Sequence, residues 1–219
     1  MGNKIRVETL ATKVTEQLRN DVLNKRFQVG EHITIKEVSE LYGVSPMPVR
    51  EAFRVLEGES LLKVNAYKGA VVQKLDKNFI SDVYGVLRAI ECAIYETAVF
   101  KITDSAIDNL NSINVLIKTI ANERKNGQLY ETLNTEFHDI VINFGTNKLA
   151  EDRYYYYHDL LKAVRRSHSQ YSFDRIKDAA AEHDEIIAAL ASRNKNALRE
   201  AVESHSIAAM NNFILQYRE

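Results

Sequence analysis

Apolar residues recur at helical spacing along most of the chain, and the breaks in that pattern gather in its first third. Leu10, Val14, Leu18 and Val22 mark one face of a helix over about residues 9–24. Phe27-Gln28-Val29-Gly30 ends it, and a short second helix follows Thr34, with Val38 and Leu41 on its apolar side. Tyr42-Gly43-Val44-Ser45 reads as a tight turn. Ser45 suits an N-cap, and Pro46 suits the first helical position, where a missing N–H costs nothing. In the third helix, to about Glu57, Val49, Ala52, Phe53 and Leu56 fall at i, i+3, i+4 and i+7 and form the core side. Met47, Arg50, Glu51 and Arg54 make the opposite stripe. After Gly58, residues 61–64 and 70–72 read as two strands, joined by the hairpin wing Asn65-Ala66-Tyr67-Lys68-Gly69. Helix, helix, glycine turn, helix, hairpin is the order of a winged helix-turn-helix.

Beyond a boundary near Leu75-Asp76-Lys77 the pattern is helical throughout. Six helices are predicted, over residues 77–100, 104–124, 127–143, 148–169, 172–191 and 195–216, with Asp76, Thr103 and Asn194 as N-caps. Both prolines, Pro46 and Pro48, and five of the eight glycines lie before the boundary, so turn chemistry belongs to the first unit. The expected fold is mainly α. A winged helix-turn-helix of three helices plus a β-hairpin wing occupies residues 1–75, and an all-α antiparallel helical bundle occupies residues 76–219.

Charge separates the same two units. Residues 1–75 carry 12 lysines and arginines against 9 acidic residues, net +3, whereas the remainder carries 17 against 21, net −4. A basic head on an acidic body suits a head that meets phosphates. No apolar run approaches the ~18–20 residues that span a bilayer, so no membrane partner is expected. Met1-Gly2-Asn3-Lys4-Ile5-Arg6 has no apolar core of a secretory signal. Cys92 is the single cysteine, which excludes an intrachain disulfide and fits a reducing cytoplasm.

Two constellations carry candidate chemistry. Arg50 and Arg54 stand one turn apart on the exposed stripe of the third helix, where arginine can read a guanine edge or grip a phosphate. Lys36 in the second helix and Lys68 on the wing add backbone contacts, and Gly69 lets the wing approach a groove closely. In the second unit, Asn134 and His138 share a helical face, while His183 and His205 each sit on the apolar stripe of a later helix. Three inward imidazoles and an amide oxygen can converge on one divalent ion, with zinc, nickel and similar metals suited to the ligands. His158 and His168 read as surface or pocket-lining residues; Arg165 and Arg166 read as a solvated helix face, ahead of a second anion contact. A helical metalloenzyme is the rival reading. His183-Asp184-Glu185-Ile186-Ile187 has isoleucine where a zincin needs its second histidine, and no Glu-x-x-His pair precedes His138, His183 or His205.

Residues 10–73 resemble the N-terminal domain of the GntR superfamily. The resemblance rests on Gly30-Glu31, the run from Leu41-Tyr42-Gly43-Val44-Ser45 through Pro48-Val49-Arg50-Glu51-Ala52-Phe53 to Glu57, and Gly69-Ala70-Val71-Val72. It implies a DNA interface of Lys36, Ser45, Met47, Arg50, Arg54, Lys68 and Gly69. The family usually has arginine directly after the turn serine, where this chain has Pro46. Residues 78–219 resemble the FCD effector domain of FadR-type regulators, through Arg88 with Glu91, Phe137-His138, Asn147, Glu182-His183 and His205. That resemblance implies a divalent metal, zinc before nickel or manganese, on Asn134, His138, His183 and His205. It also implies Arg88 as clamp for a small carboxylate or sugar acid. Aspartate is the commoner family residue at position 134. The implied protein is a cytoplasmic, homodimeric transcriptional regulator, a repressor by default, that holds a palindromic operator. A regulator that answers to the metal alone is the alternative.

Overall fold

The computed structural model describes residues 9–65, 68–124, 127–168 and 172–217. Ala66 and Tyr67 of the wing, and the side chains of Arg166 and His168, lie outside the described residues. The chain divides into two compact units, one ending at Asp76 and the other starting at Lys77.

The first unit contains α1 (Leu10–Leu23), β1 (His32–Ile33), α2 (Ile35–Tyr42), α3 (Pro46–Gly58), β2 (Leu62–Asn65) and β3 (Gly69–Val72). The Thr9 hydroxyl caps α1 by accepting from the Thr12 amide. Val14, Leu18 and Val22 are then buried against α3, which returns Val49, Ala52, Phe53 and Leu56. A complete capping box starts α2: the Thr34 hydroxyl accepts from the Glu37 amide, and the Glu37 carboxylate accepts from the Thr34 amide. Gly43 ends α2 in the left-handed region, at φ 65°, and the chain reverses into α3.

Ser45 stands at the N-cap of α3, but its side chain makes no capping bond. The cause is local. An N-cap oxygen accepts from the N2 or N3 amide; Pro48 at N3 has none, which leaves only the Met47 amide, and that bond is not made.

The sheet has three strands in the order β1-β3-β2, all antiparallel, and β1 was not legible in the sequence. Gly69 pairs with Asn65 and takes φ 101°. A β-carbon there would lie 2.2 Å from the Ile33 carbonyl oxygen, so the approach of β1 to β3 by itself demands glycine. Gly69→Ala is expected to cost about 1–3 kcal/mol from the left-handed backbone alone, with the clash adding to it. The urea midpoint checks this, and an unchanged midpoint would mean that β1 yields freely.

The second unit is helical: α4 (Lys77–Ala98), α5 (Asp104–Glu123), α6 (Gly127–Ile142), α7 (Lys148–His168), α8 (Phe173–Ala191) and α9 (Lys195–Gln216). Thr103 and Asn194 cap α5 and α9 as expected, and Ser172 caps α8. α5 packs on α8 and α6, α4 on α9 and α7, and α8 on α9. The core between them is aliphatic, with Leu110, Ile117, Phe137, Val141, Ile176, Ile186 and Leu198 buried. No described helix is long and apolar enough to cross a membrane.

Candidate nucleic-acid interface and metal centre

In the first unit, Lys36 from α2, Arg50 from α3, and Lys68 and Gly69 from the hairpin line one shallow concavity, together with Pro46. Three separate elements therefore present cations on one surface. Lys36, Arg50 and Lys68 are exposed, and Lys36 makes only a loose contact, 3.9 Å, with exposed Glu40. Such a pair is worth little in water. Arg50 and Arg54 enter no ion pair among the described residues. Ser45, Met47 and Arg54 are exposed too but lie outside this concavity. Met47 is 65% exposed, a thioether left in solvent at the start of α3.

In the second unit, five helices bring their polar residues to one buried place. His138 of α6, His183 of α8 and His205 of α9 are 5%, 0% and 6% exposed, and one nitrogen from each lies within 4.8 Å of the others. Every Nδ1 is engaged. That of His138 lies 2.8 Å from the Tyr95 hydroxyl and 3.1 Å from Glu91 Oε1, both on α4. The Nδ1 of His205 lies 2.6 Å from Glu182 Oε2, and Glu182 is held by Arg175 through two bonds of 2.8 and 2.7 Å.

The third case fixes its own tautomer. The Asn114 amide nitrogen donates to the Ala180 carbonyl and to Asp184 Oδ1, so its oxygen faces His183 Nδ1 at 3.3 Å. An amide oxygen only accepts, hence His183 carries its proton on Nδ1. Its Nε2 is then a bare lone pair, sealed from solvent and without a hydrogen-bond partner among the described residues. A buried acceptor left so is costly. Neutral imidazoles whose Nδ1–H groups are tied to carboxylate or carbonyl oxygens are the form that metals select.

The electrostatics agree. Burial pushes His183 well below the usual imidazole range, with His205 and His138 adding to the effect. Burial also lowers His205, against the opposing hydrogen bond to Glu182. Burial pushes Glu91 and Glu182 upward, but hydrogen bonds from His138, and from His205 and Arg175, outweigh it and keep both low.

A cavity opens beside these imidazoles, and Asn134, His138 and His205 line it. Asn134 Oδ1 accepts from the Tyr130 hydroxyl at 3.0 Å. Arg88 is half-buried on α4 and is not among the lining residues. The cations that do line it are Lys162, Arg165 and Arg175. The reading of Arg165 as a solvated helix face is therefore corrected: it is 6% exposed, donates to the Tyr84 hydroxyl and packs over Phe213. His158 also faces the cavity, stacked on Tyr154 and pushed down to about 3 by burial, then by His138 and Lys162.

A winged helix-turn-helix with a cationic concavity, followed by a helical unit with a buried polar cavity, has the build of a bacterial transcriptional regulator. Residues 10–72 match the bacterial regulatory proteins of the gntR family, and residues 82–208 match the FCD domain. The chain belongs to the GntR family and carries an FCD domain. It is 30% identical over 191 residues to the HTH-type transcriptional repressor RspR of Escherichia coli strain K12, covering 86% of this chain and 82% of that protein. It is 26% identical over 191 residues to the uncharacterized HTH-type transcriptional regulator YdhC of Bacillus subtilis strain 168, covering 86% and 84%. Among solved structures, E. coli McbR/YncC shares the fold, with a TM-score of 0.61 and 16% identity over 97% of this chain and 100% of that one. The matching families are those of regulators, not of enzymes.

Proposed function

We propose that the chain is a metal-loaded repressor whose grip on a palindromic operator is set by a small carboxylate or sugar acid. Residues 1–75 bind DNA, and residues 76–219 bind the effector and a second copy of the chain. The observation that carries the metal reading is the sealed, partnerless Nε2 of His183, beside two imidazoles oriented in the same way. His138, His183 and His205 would hold a divalent ion, zinc first and nickel or manganese next. Asn134 Oδ1, with one lone pair given to Tyr130, has a second for that ion. When bound, the ion supplies positive charge and open positions for a carboxylate. Lys162, Arg165 and Arg175 favour the same kind of ligand, and they take over the role that the resemblance implies for Arg88.

On the DNA side, Arg50 reads base edges and Lys36 and Lys68 meet phosphates. Two such heads in a homodimer match a two-fold operator. Repression follows the relative RspR, and the work belongs in the cytoplasm, where the operator is. An effector alters operator affinity only through a difference in its own affinity for the two states. The zinc-loaded protein is expected to enrich a few palindromic fragments from the genomic DNA of its own bacterium. The right carboxylate should release them. Fragments enriched neither with zinc nor with chelator would sink the reading.

A further inference from the structure

We infer that the cavity of the helical unit is built on two levels and takes an elongated dianion of roughly four carbons, one end at the imidazoles and the other at Arg165 and Asn212. The first end rests on the metal reading above; the second rests on separate residues. Three helices each contribute two lining residues seven positions apart: Tyr84 and Glu91 on α4, His158 and Arg165 on α7, His205 and Asn212 on α9. Seven residues are about 10.5 Å of rise and close to two whole turns, so each pair faces one side at two heights.

The contacts sort into the same two levels. Glu91 lies 3.1 Å from His138, whose ring centre is 5.2 Å from that of His205. At the other level, Arg165 donates to the Tyr84 hydroxyl at 3.3 Å, and its guanidinium carbon sits 4.1 Å from the ring centre of Phe213. Asn212, the neighbour of Phe213 in the chain, completes that level.

The chemistry of the far level is that of an anion-receiving end. Arg165 is already desolvated, and stacking on Phe213 fixes the plane of its fork, which suits a carboxylate. Asn212 Oδ1 is sealed from solvent and has no hydrogen-bond partner among the described residues. Such an acceptor is satisfied by a hydroxyl on the ligand. From the 10.5 Å between levels, a metal bond takes about 2 Å and a hydrogen bond about 3 Å. About 5–6 Å remains between the outer oxygens of the ligand, which is the span that sets the chain length.

The test is calorimetric titration of the full chain, zinc-loaded and chelated, with butyrate, succinate, glutarate, adipate and malate. The zinc-loaded protein is expected to bind at least one of the dicarboxylates tenfold or more tighter than butyrate, and malate tighter than succinate. Arg165→Gln should erase the dicarboxylate margin without changing zinc content. Asn212→Asp, at a half-buried position, should repel dicarboxylates and spare butyrate, and it decides between the outcomes if the arginine variant does not fold. Equal affinity for butyrate and every dicarboxylate, or a margin that survives in both variants, would overturn the proposal. A margin that persists under chelation and disappears in the variants would support the far level and remove the metal reading. No binding of any of the five under either condition would overturn both.

Discussion

Replacing Arg50 with alanine is expected to weaken operator binding at least a hundredfold and to leave stability and effector binding unchanged. Arg50 is exposed, makes no ion pair among the described residues, and lines the concavity shared by α2, α3 and the wing. Its removal therefore takes nothing from the core. A bidentate arginine–guanine contact discriminates by about 1–3 kcal/mol, and a two-fold complex loses it twice. At 1.4 kcal/mol per tenfold, two such losses reach a hundredfold over most of that range. Fluorescence anisotropy at fixed salt measures the change. Lys36→Ala and Lys68→Ala separate the roles: loss of a phosphate contact weakens all DNA alike and flattens the salt dependence, whereas loss of Arg50 should narrow the gap between operator and random duplex. Unchanged affinity in the Arg50 variant would remove that residue from the interface.

The second large effect is expected in the helical unit. His183→Ala should lower zinc affinity by more than about a hundredfold, because loss of a mere supporting partner already costs 10–100-fold. The same change should also lower the stability of the metal-free protein. It removes a buried nitrogen with no partner among the described residues, but it gives up the stacking of His183 on Phe137, at 3.9 Å and 11°, opens a cavity and leaves the buried Asn114 oxygen without its donor. Metal content after dialysis, read with the melting temperature with and without zinc, checks both halves. Full zinc occupancy in the variant would refute the assignment of His183 as a ligand.

The helices of the second unit were legible because each carries a long apolar stripe and several begin at a side chain that caps. The same stripes exposed the three histidines, since an imidazole among aliphatic neighbours must point inward. The groups that orient those rings were not legible as such. Tyr95 meets His138 across 43 residues, Asn114 meets His183 across 69, and Glu182 meets His205 across 23. Only the packing of α4, α5 and α8 around the site brings them together. Arg165 was misread for a related reason. Leu160, Leu161 and Val164 mark the inward side of α7, and Arg165 falls beside them, where an arginine reads from sequence as the edge of the solvated face. In the first unit, β1 escaped because two residues establish no period. Ser45 was the right residue type for a cap, but the proline three positions on took away one of the two amides it could have bound.

Arg175 faces the cavity, grips Glu182 through both oxygens, and Glu182 in turn grips the Nδ1 of His205. An anion that draws on Arg175 competes with Glu182 for it, and any shift of that carboxylate changes how strongly the opposite nitrogen of His205 donates electrons. Metal and organic anion would then not bind as independent guests. Linkage makes the coupling reciprocal: whatever factor the effector imposes on zinc affinity, zinc imposes on the effector. If the proposed ion and effector favour one another, a cell short of the ion would find its regulator less responsive to the metabolite as well.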